Sequence, residues 1–115
     1  MFLDLSKVQL FVKPGATDMR KQSAGLAAVV QEEMELDPFQ KALFIFCNRK
    51  RTLMKAIYWD RNGFCLWQKR LEQDTFPWPA EAHEVHRISG QQWRLLLDGL
   101  NIWKAHRELE YTKVS

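Results

Sequence analysis

The chain has 115 residues, 46% hydrophobic and 27% charged, with a formal charge of +3. That length suits one domain, expected over residues 1–115 with its core at about 8–100, and allows burial of about two thirds of the unfolded surface. No run approaches the eighteen or more apolar residues of a membrane span, and Met1–Val12 lacks the pattern of a signal peptide, so the expected home is a reducing cytoplasm.

In chain order, Val8–Val12 is a short strand candidate ended by the turn-forming Lys13-Pro14-Gly15. Asp18 is placed to cap a helix from Met19 to about Met34, on which Met19, Ser23, Leu26, Ala27, Val30 and Met34 recur at helical spacing. Gly25 weakens that helix by about 1 kcal/mol relative to alanine and suggests close packing. Pro38 biases Asp37 away from the helical region, so Leu36-Asp37-Pro38-Phe39 marks a stop.

Residues Ala42 to Pro79 form the centre of the chain. Three apolar, aromatic-rich runs are separated by the basic connection Asn48-Arg49-Lys50-Arg51-Thr52 and the turn Asp60-Arg61-Asn62-Gly63. Asn-Gly between β-prone runs is a hairpin signal, and together the runs predict a three-stranded antiparallel meander. Pairing Cys47 with Leu53 and Trp59 with Phe64 puts Leu43, Ile45, Cys47, Leu53, Ile57, Trp59, Phe64 and Leu66 on one face. Phe44, Phe46, Met54, Ala56, Tyr58, Cys65 and Trp67 fall on the other. Both faces are apolar and need covers. The first helix could cover one; a C-terminal helix, a second subunit or a ligand must cover the other. In this pairing Cys47 and Cys65 point to opposite faces, which argues against a disulfide.

Leu71–Pro79 reads as a loop, and Glu84–Ile88 alternates like a strand. Ser89 opens a capping box with Gln92, ahead of a stripe of Trp93, Leu96, Leu97 and Leu100 that Gly99 could terminate. Residues 101–115 are expected as a loosely docked tail, with Trp103 and Tyr111 available to dock. The predicted fold class is α+β: an antiparallel meander packed against an N-terminal and a C-terminal helix.

The charge is uneven. Between Asn48 and Arg70 stand Arg49, Lys50, Arg51, Lys55, Arg61, Lys69 and Arg70 against the single acid Asp60. The acids gather at Glu32, Glu33, Glu35 and Asp37 and around Glu72, Asp74, Glu81 and Glu84. A compact tip of Arg49, Lys50 and Arg51, flanked by Lys55 and extended by Lys69 and Arg70, suits phosphates and salt-dependent binding. Such charges also protect a hairpin from aggregation. Arg20 and Lys21 fall in the first turn of the predicted helix, where the dipole disfavours cations unless an anion binds; two solvated side chains are the plainer alternative. Tyr58, Trp59, Trp67 and Trp78 could stack on bases, but a small domain needs most of them as core.

His83 and His86 have a metal-like spacing, with no cysteine or acid cluster to complete a site. No Gly-rich phosphate loop, Ser-His-Asp order or Cys-His pair is legible. The sequence therefore indicates no catalytic residues, metal or cofactor.

Several ordered motifs carry a family resemblance. They are Asp18-Met19-Arg20-Lys21, Gly25-Leu26-Ala27-Ala28-Val29-Val30, Leu36-Asp37-Pro38-Phe39, Leu43-Phe44-Ile45-Phe46 and Asn48-Arg49. Tyr58-Trp59-Asp60, Gly63-Phe64-Cys65-Leu66-Trp67, Lys69-Arg70-Leu71-Glu72 and Phe76-Pro77-Trp78-Pro79 follow. The series, over roughly Val8 to Leu100, resembles the TnpB-type accessory protein encoded by the second reading frame of IS66-type bacterial insertion sequences, a protein distinct from the RNA-guided nuclease of the same name. Ser23 and Ala24 depart from the pattern, where a larger apolar residue and an acid are expected.

The resemblance implies a small protein that assists DNA transposition beside a separate, larger transposase. It brings no established catalytic residues. The expected partners are DNA, in particular the transposon ends, the element's transposase and a second copy of the chain. The competing expectation is an adaptor that docks on the transposase, or on itself, without touching DNA.

Overall fold

The computed structural model describes residues 3–80 and 84–103. After a short 3-10 turn at Leu5–Lys7, the order is β1 (Gln9–Val12), α1 (Ser23–Glu32), β2 (Ala42–Cys47), β3 (Leu53–Asp60), β4 (Gly63–Arg70), β5 (His86–Ile88) and α2 (Gly90–Leu97). The fold is α+β, a single sheet in the order β4-β3-β2-β1-β5.

The meander β2-β3-β4 is antiparallel throughout. Its N-terminal neighbour β1 joins β2 in parallel, with α1 as the crossover, and β5 closes the far side antiparallel to β1. Strand β2 lies at the centre and is buried at every position, so its run Ala-Leu-Phe-Ile-Phe-Cys shows no alternation. Each large apolar side chain hidden there contributes roughly 1.5–3 kcal/mol.

Two cores flank the sheet. On one face Leu26, Val29 and Val30 of α1 pack on Phe44, Phe46 and Ile57. On the other, Trp93 and Leu96 of α2 pack with Phe76 on Leu43, Ile45, Met54 and Ala56. The two helices are the covers that the two apolar faces require.

The register between β2 and β3 differs from the sequence expectation by one residue: Cys47 stands opposite Met54, not Leu53, while Trp59 opposite Phe64 holds. The cause is Asn48, whose N–H donates to the Leu53 carbonyl at 3.0 Å and leaves a tip of only Arg49–Thr52. Because side chains alternate, this slip moves the whole of β2 to the other face relative to β3. Leu43, Ile45 and Cys47 therefore share the α2 face with Met54, Ala56, Tyr58 and Trp67. Cys65, opposite Tyr58, falls on that face too, so the two cysteines are on one face and not on opposite ones. Both are free thiols at different heights of the sheet.

The first helix also begins later than expected. Asp18 does not cap it: the carboxylate accepts the Arg20 N–H at 3.0 Å in a local turn. The ammonium of Lys55 takes the carbonyls of Met19 (2.8 Å) and Lys21 (3.0 Å), which in a helix starting at Met19 would bond to N–H groups four residues on. The helix starts at Ser23, and Gln22 at its N-cap offers no side-chain bond. It ends at Glu32, with Glu35 in the left-handed region (φ 57°) and the Leu36 N–H returned to Val30.

At the other end the capping box of Ser89 and Gln92 is present in both directions. Gly99 at φ 85° stops α2, where a side chain would be strained. Leu100 consequently lies beyond the helix and is exposed rather than on its stripe. Trp103 docks through its indole N–H on the Pro77 carbonyl at 3.0 Å. Tyr111, His83 and His106 lie outside the described residues.

Candidate nucleic-acid interface

The tip between β2 and β3 is an ordered structure built on one side chain. Asn48 Oδ1 accepts the N–H groups of Thr52 (2.9 Å) and Leu53 (3.0 Å), and Nδ2 donates to Thr52 Oγ1 at 3.1 Å. The Arg51 N–H bonds back to the Asn48 carbonyl, and Arg51 takes a left-handed φ of 64°. The following loop is tied down on the tip, with Leu71 N–H on the Thr52 carbonyl and Phe76 N–H on that of Arg51, at 2.8 and 2.7 Å. Phe76 is buried, so the tip rests on the α2-side core.

The expected cations divide by role. Arg49, Lys50 and Arg70 are exposed; Arg70 stands opposite Leu53, next to the tip. Arg51 is half-buried, with Nη1 hidden and without a hydrogen-bond partner among the described residues. Lys69 donates to the Leu97 carbonyl at 2.9 Å, at the negative end of the α2 dipole. Lys55 is 3% exposed and braces the chain from inside. It is not a surface flank of the tip.

Arg20 and Lys21 are exposed and precede the helix instead of occupying its first turn. Their segment is nevertheless drawn to the tip. The Thr17 N–H donates to the Cys47 carbonyl at 2.8 Å, and Lys55, two residues into β3, holds Met19 and Lys21. One end of the sheet thus presents Arg49 and Lys50 from the tip, Arg70 from β4 and Arg20 and Lys21 from the segment before α1. Acids temper it: Asp18, and Glu72 and Asp74 on the loop tied to the tip, are exposed as well.

Asp18 and Arg20 form a bidentate pair, with Nη2 to Oδ2 at 2.8 Å and Nε to Oδ1 at 3.0 Å. The Arg20 side-chain hydrogen bonds, and then its N–H, hold the Asp18 carboxyl down at about 2 against an ordinary 3.8. Beneath the tip, burial pushes the Cys47 thiol up to about 11, partly opposed by the Arg51 charge.

Of the aromatics considered for stacking, Trp67 packs edge-on against Trp93, and Trp78 donates to the Lys13 carbonyl. Tyr58 also packs against the α2-side core. Trp59 differs: with Phe64 and the 57%-exposed Phe39 it forms a ring cluster with centroids 5.0–5.5 Å apart, at the opposite end of the meander from the tip. Phe39 was not singled out from sequence. In the sequence it stands only within Leu36-Asp37-Pro38-Phe39, read as a helix stop and a family motif, and the Asp37 carboxylate accepts its N–H at 2.9 Å.

Among the described residues, no group of three or more His, Cys, Asp or Glu could hold a metal ion. No helix among them is long and apolar enough to cross a membrane.

The family described as "IS66 Orf2 like protein" matches residues 8–107. The chain belongs to that family. Its members are accessory proteins of insertion sequences, and membership carries an accessory role in transposition. Among relatives, the uncharacterized protein y4hO of Sinorhizobium fredii is 38% identical over 101 residues, covering 88% of this chain and 87% of that protein. The uncharacterized protein y4jC of the same organism is 28% identical over 101 residues, with 88% and 86% covered. No solved structure matches.

Proposed function

We propose that this family member is a non-catalytic accessory factor that grips the phosphates of the element's DNA ends through the basic end of its sheet. Arg49, Lys50, Arg70, Arg20 and Lys21 make the contacts. Arg51, Lys55 and Lys69 hold the tip, the pre-helix segment and α2 in place beneath them. The observation that carries the reading is the buried Lys55 ammonium, which binds the backbone of Met19 and Lys21 and so brings two separate basic stretches to one surface. Multiple cations fixed on one surface release counterions together, which is the source of salt-dependent DNA affinity.

A second reading is favoured by the exposed Phe39–Trp59–Phe64 cluster: an adaptor that docks on the transposase through those rings. Aromatic anchors of this kind are enriched at protein interfaces. Binding of purified chain to duplexes carrying the element ends, with and without transposase, separates the two. Binding by the chain alone is expected. Capture on DNA only when transposase is present, with no binding alone, would overturn the DNA-contact reading in favour of the adaptor.

A further inference from the structure

The two edges of the sheet are unlike. On one side β5 is only three residues long, and Trp103 packs its ring against His86 there. On the other side β4 runs for eight residues in unbroken register with β3. Edges in monomeric proteins are shortened, bulged, or broken by proline or charge. Strand β4 has no proline and no bulge, and its only charges are its last two residues, Lys69 and Arg70.

The orientation of its backbone follows from one bond. The Leu71 N–H points inward to the Thr52 carbonyl, so by alternation Lys69, Trp67 and Cys65 also turn their backbone toward β3. Phe64, Leu66, Gln68 and Arg70 therefore present their N–H and C=O groups outward. Beside that row are half-exposed apolar side chains on both faces: Phe64 and Leu66 toward α1, Cys65 and Trp67 toward α2. Only an extended strand meets both the hydrogen-bonding row and the two apolar faces.

We propose that the occupant is β4 of a second copy, paired antiparallel about a two-fold axis to make one continuous ten-stranded sheet. A two-fold perpendicular to the sheet sets residues of equal parity across from each other, so Phe64 and Leu66 of each copy extend the α1-side face of the other. The charges fit the same arrangement. Antiparallel pairing separates the two Lys69-Arg70 ends and sets each beside the Phe64 end of the partner, where the Phe39–Trp59–Phe64 rings offer faces for a guanidinium. A parallel arrangement would bring the two cationic ends together. The inference does not depend on DNA binding, and its test contains no DNA.

Two measurements on the full chain decide it. In sedimentation, the mass is expected to rise toward twice the monomer value with concentration. Gln68→Pro removes one outward N–H, leaves the β3 ladder intact at an exposed position, and is expected to stay monomeric. Gln68→Thr keeps the N–H and is expected to dimerise like the parent. In amide hydrogen exchange on the unmodified chain, Phe64, Leu66, Gln68 and Arg70 are expected to slow by about tenfold or more as concentration rises. A chain that is monomeric at every concentration overturns the proposal, as does a Gln68→Pro variant that dimerises normally. Protection at those four amides that is independent of concentration also overturns it, since the edge would then be covered within one chain.

Discussion

Replacing Asn48 by alanine removes the side chain that closes the tip. Two backbone donors, the N–H groups of Thr52 and Leu53, lose their acceptor, and Thr52 Oγ1 loses a donor. An orphaned donor costs about 1–3 kcal/mol when buried. These bonds are only partly buried, so the low end applies to each, and the expected loss is roughly 2–3 kcal/mol. Asn48→Asp is the informative partner. Its carboxylate keeps both acceptor contacts, and the Thr52 hydroxyl can turn to donate to it, so stability should stay within about 1 kcal/mol of the parent. The added negative charge nevertheless sits beside Arg49 and Lys50, so DNA affinity should fall in Asn48→Asp with the fold intact. Urea unfolding gives the stabilities, and fluorescence anisotropy on a short duplex gives the affinities. If the alanine variant loses less than about 0.5 kcal/mol, or the aspartate variant loses as much as the alanine one, the tip is not held by this acceptor.

Three further outcomes follow from the same structure. Lys55→Met removes two charge-assisted bonds and also a buried ammonium that no carboxylate of the described residues pairs with, so the terms oppose; a net loss of about 1–3 kcal/mol is expected, with faster amide exchange at Arg20 and Lys21. Unchanged exchange there would show that the segment is held by something else. The Asp18 carboxyl, depressed to about 2, should titrate by NMR near that value and return toward 3.8 in Arg20→Ala. Because its folded value lies below its ordinary one, its contribution to stability is present above about pH 4 and is lost as pH falls through about 2. A thiol reagent at pH 8 should modify the half-exposed Cys65 quickly and leave the buried Cys47 unreacted until unfolding; two fast thiols would contradict the packing beneath the tip.

Elements governed by local chemistry were legible before the structure. Ser89 and Gln92 write a capping box in four residues, and Asp60–Gly63 fixes the second hairpin, whose Trp59–Phe64 pairing holds. What sequence could not supply came from contacts distant along the chain. The start of α1 is set by Lys55, more than thirty residues away, which competes for the carbonyls that a helix from Met19 would use. The register of the first hairpin turned on the Asn48 amide, one residue in a basic stretch that reads equally well as a five-residue loop. That single step reassigned the faces of β2 and brought both cysteines to one side. Periodicity within β2 could not reveal the error, because all six residues are apolar and buried on both faces.

The candidate site was legible as composition and not as geometry. Arg49, Lys50 and Arg70 reach solvent as a basic hairpin implies. Lys55 has the same side-chain chemistry but alternates inward from β3, where it organises the surface cations without joining them.

The central claim is that cations at this end of the sheet contact DNA phosphates. It is tested most directly by the slope of log affinity against log salt, measured on one duplex for the parent chain and for Arg49→Ala/Lys50→Ala. Both residues are exposed, and neither side chain takes part in closing the tip, so the double variant should fold with unchanged stability. Loss of two phosphate contacts should make the slope shallower by about 1.8, at roughly 0.9 per contact. An unchanged slope, with the parent still binding, would contradict the claim.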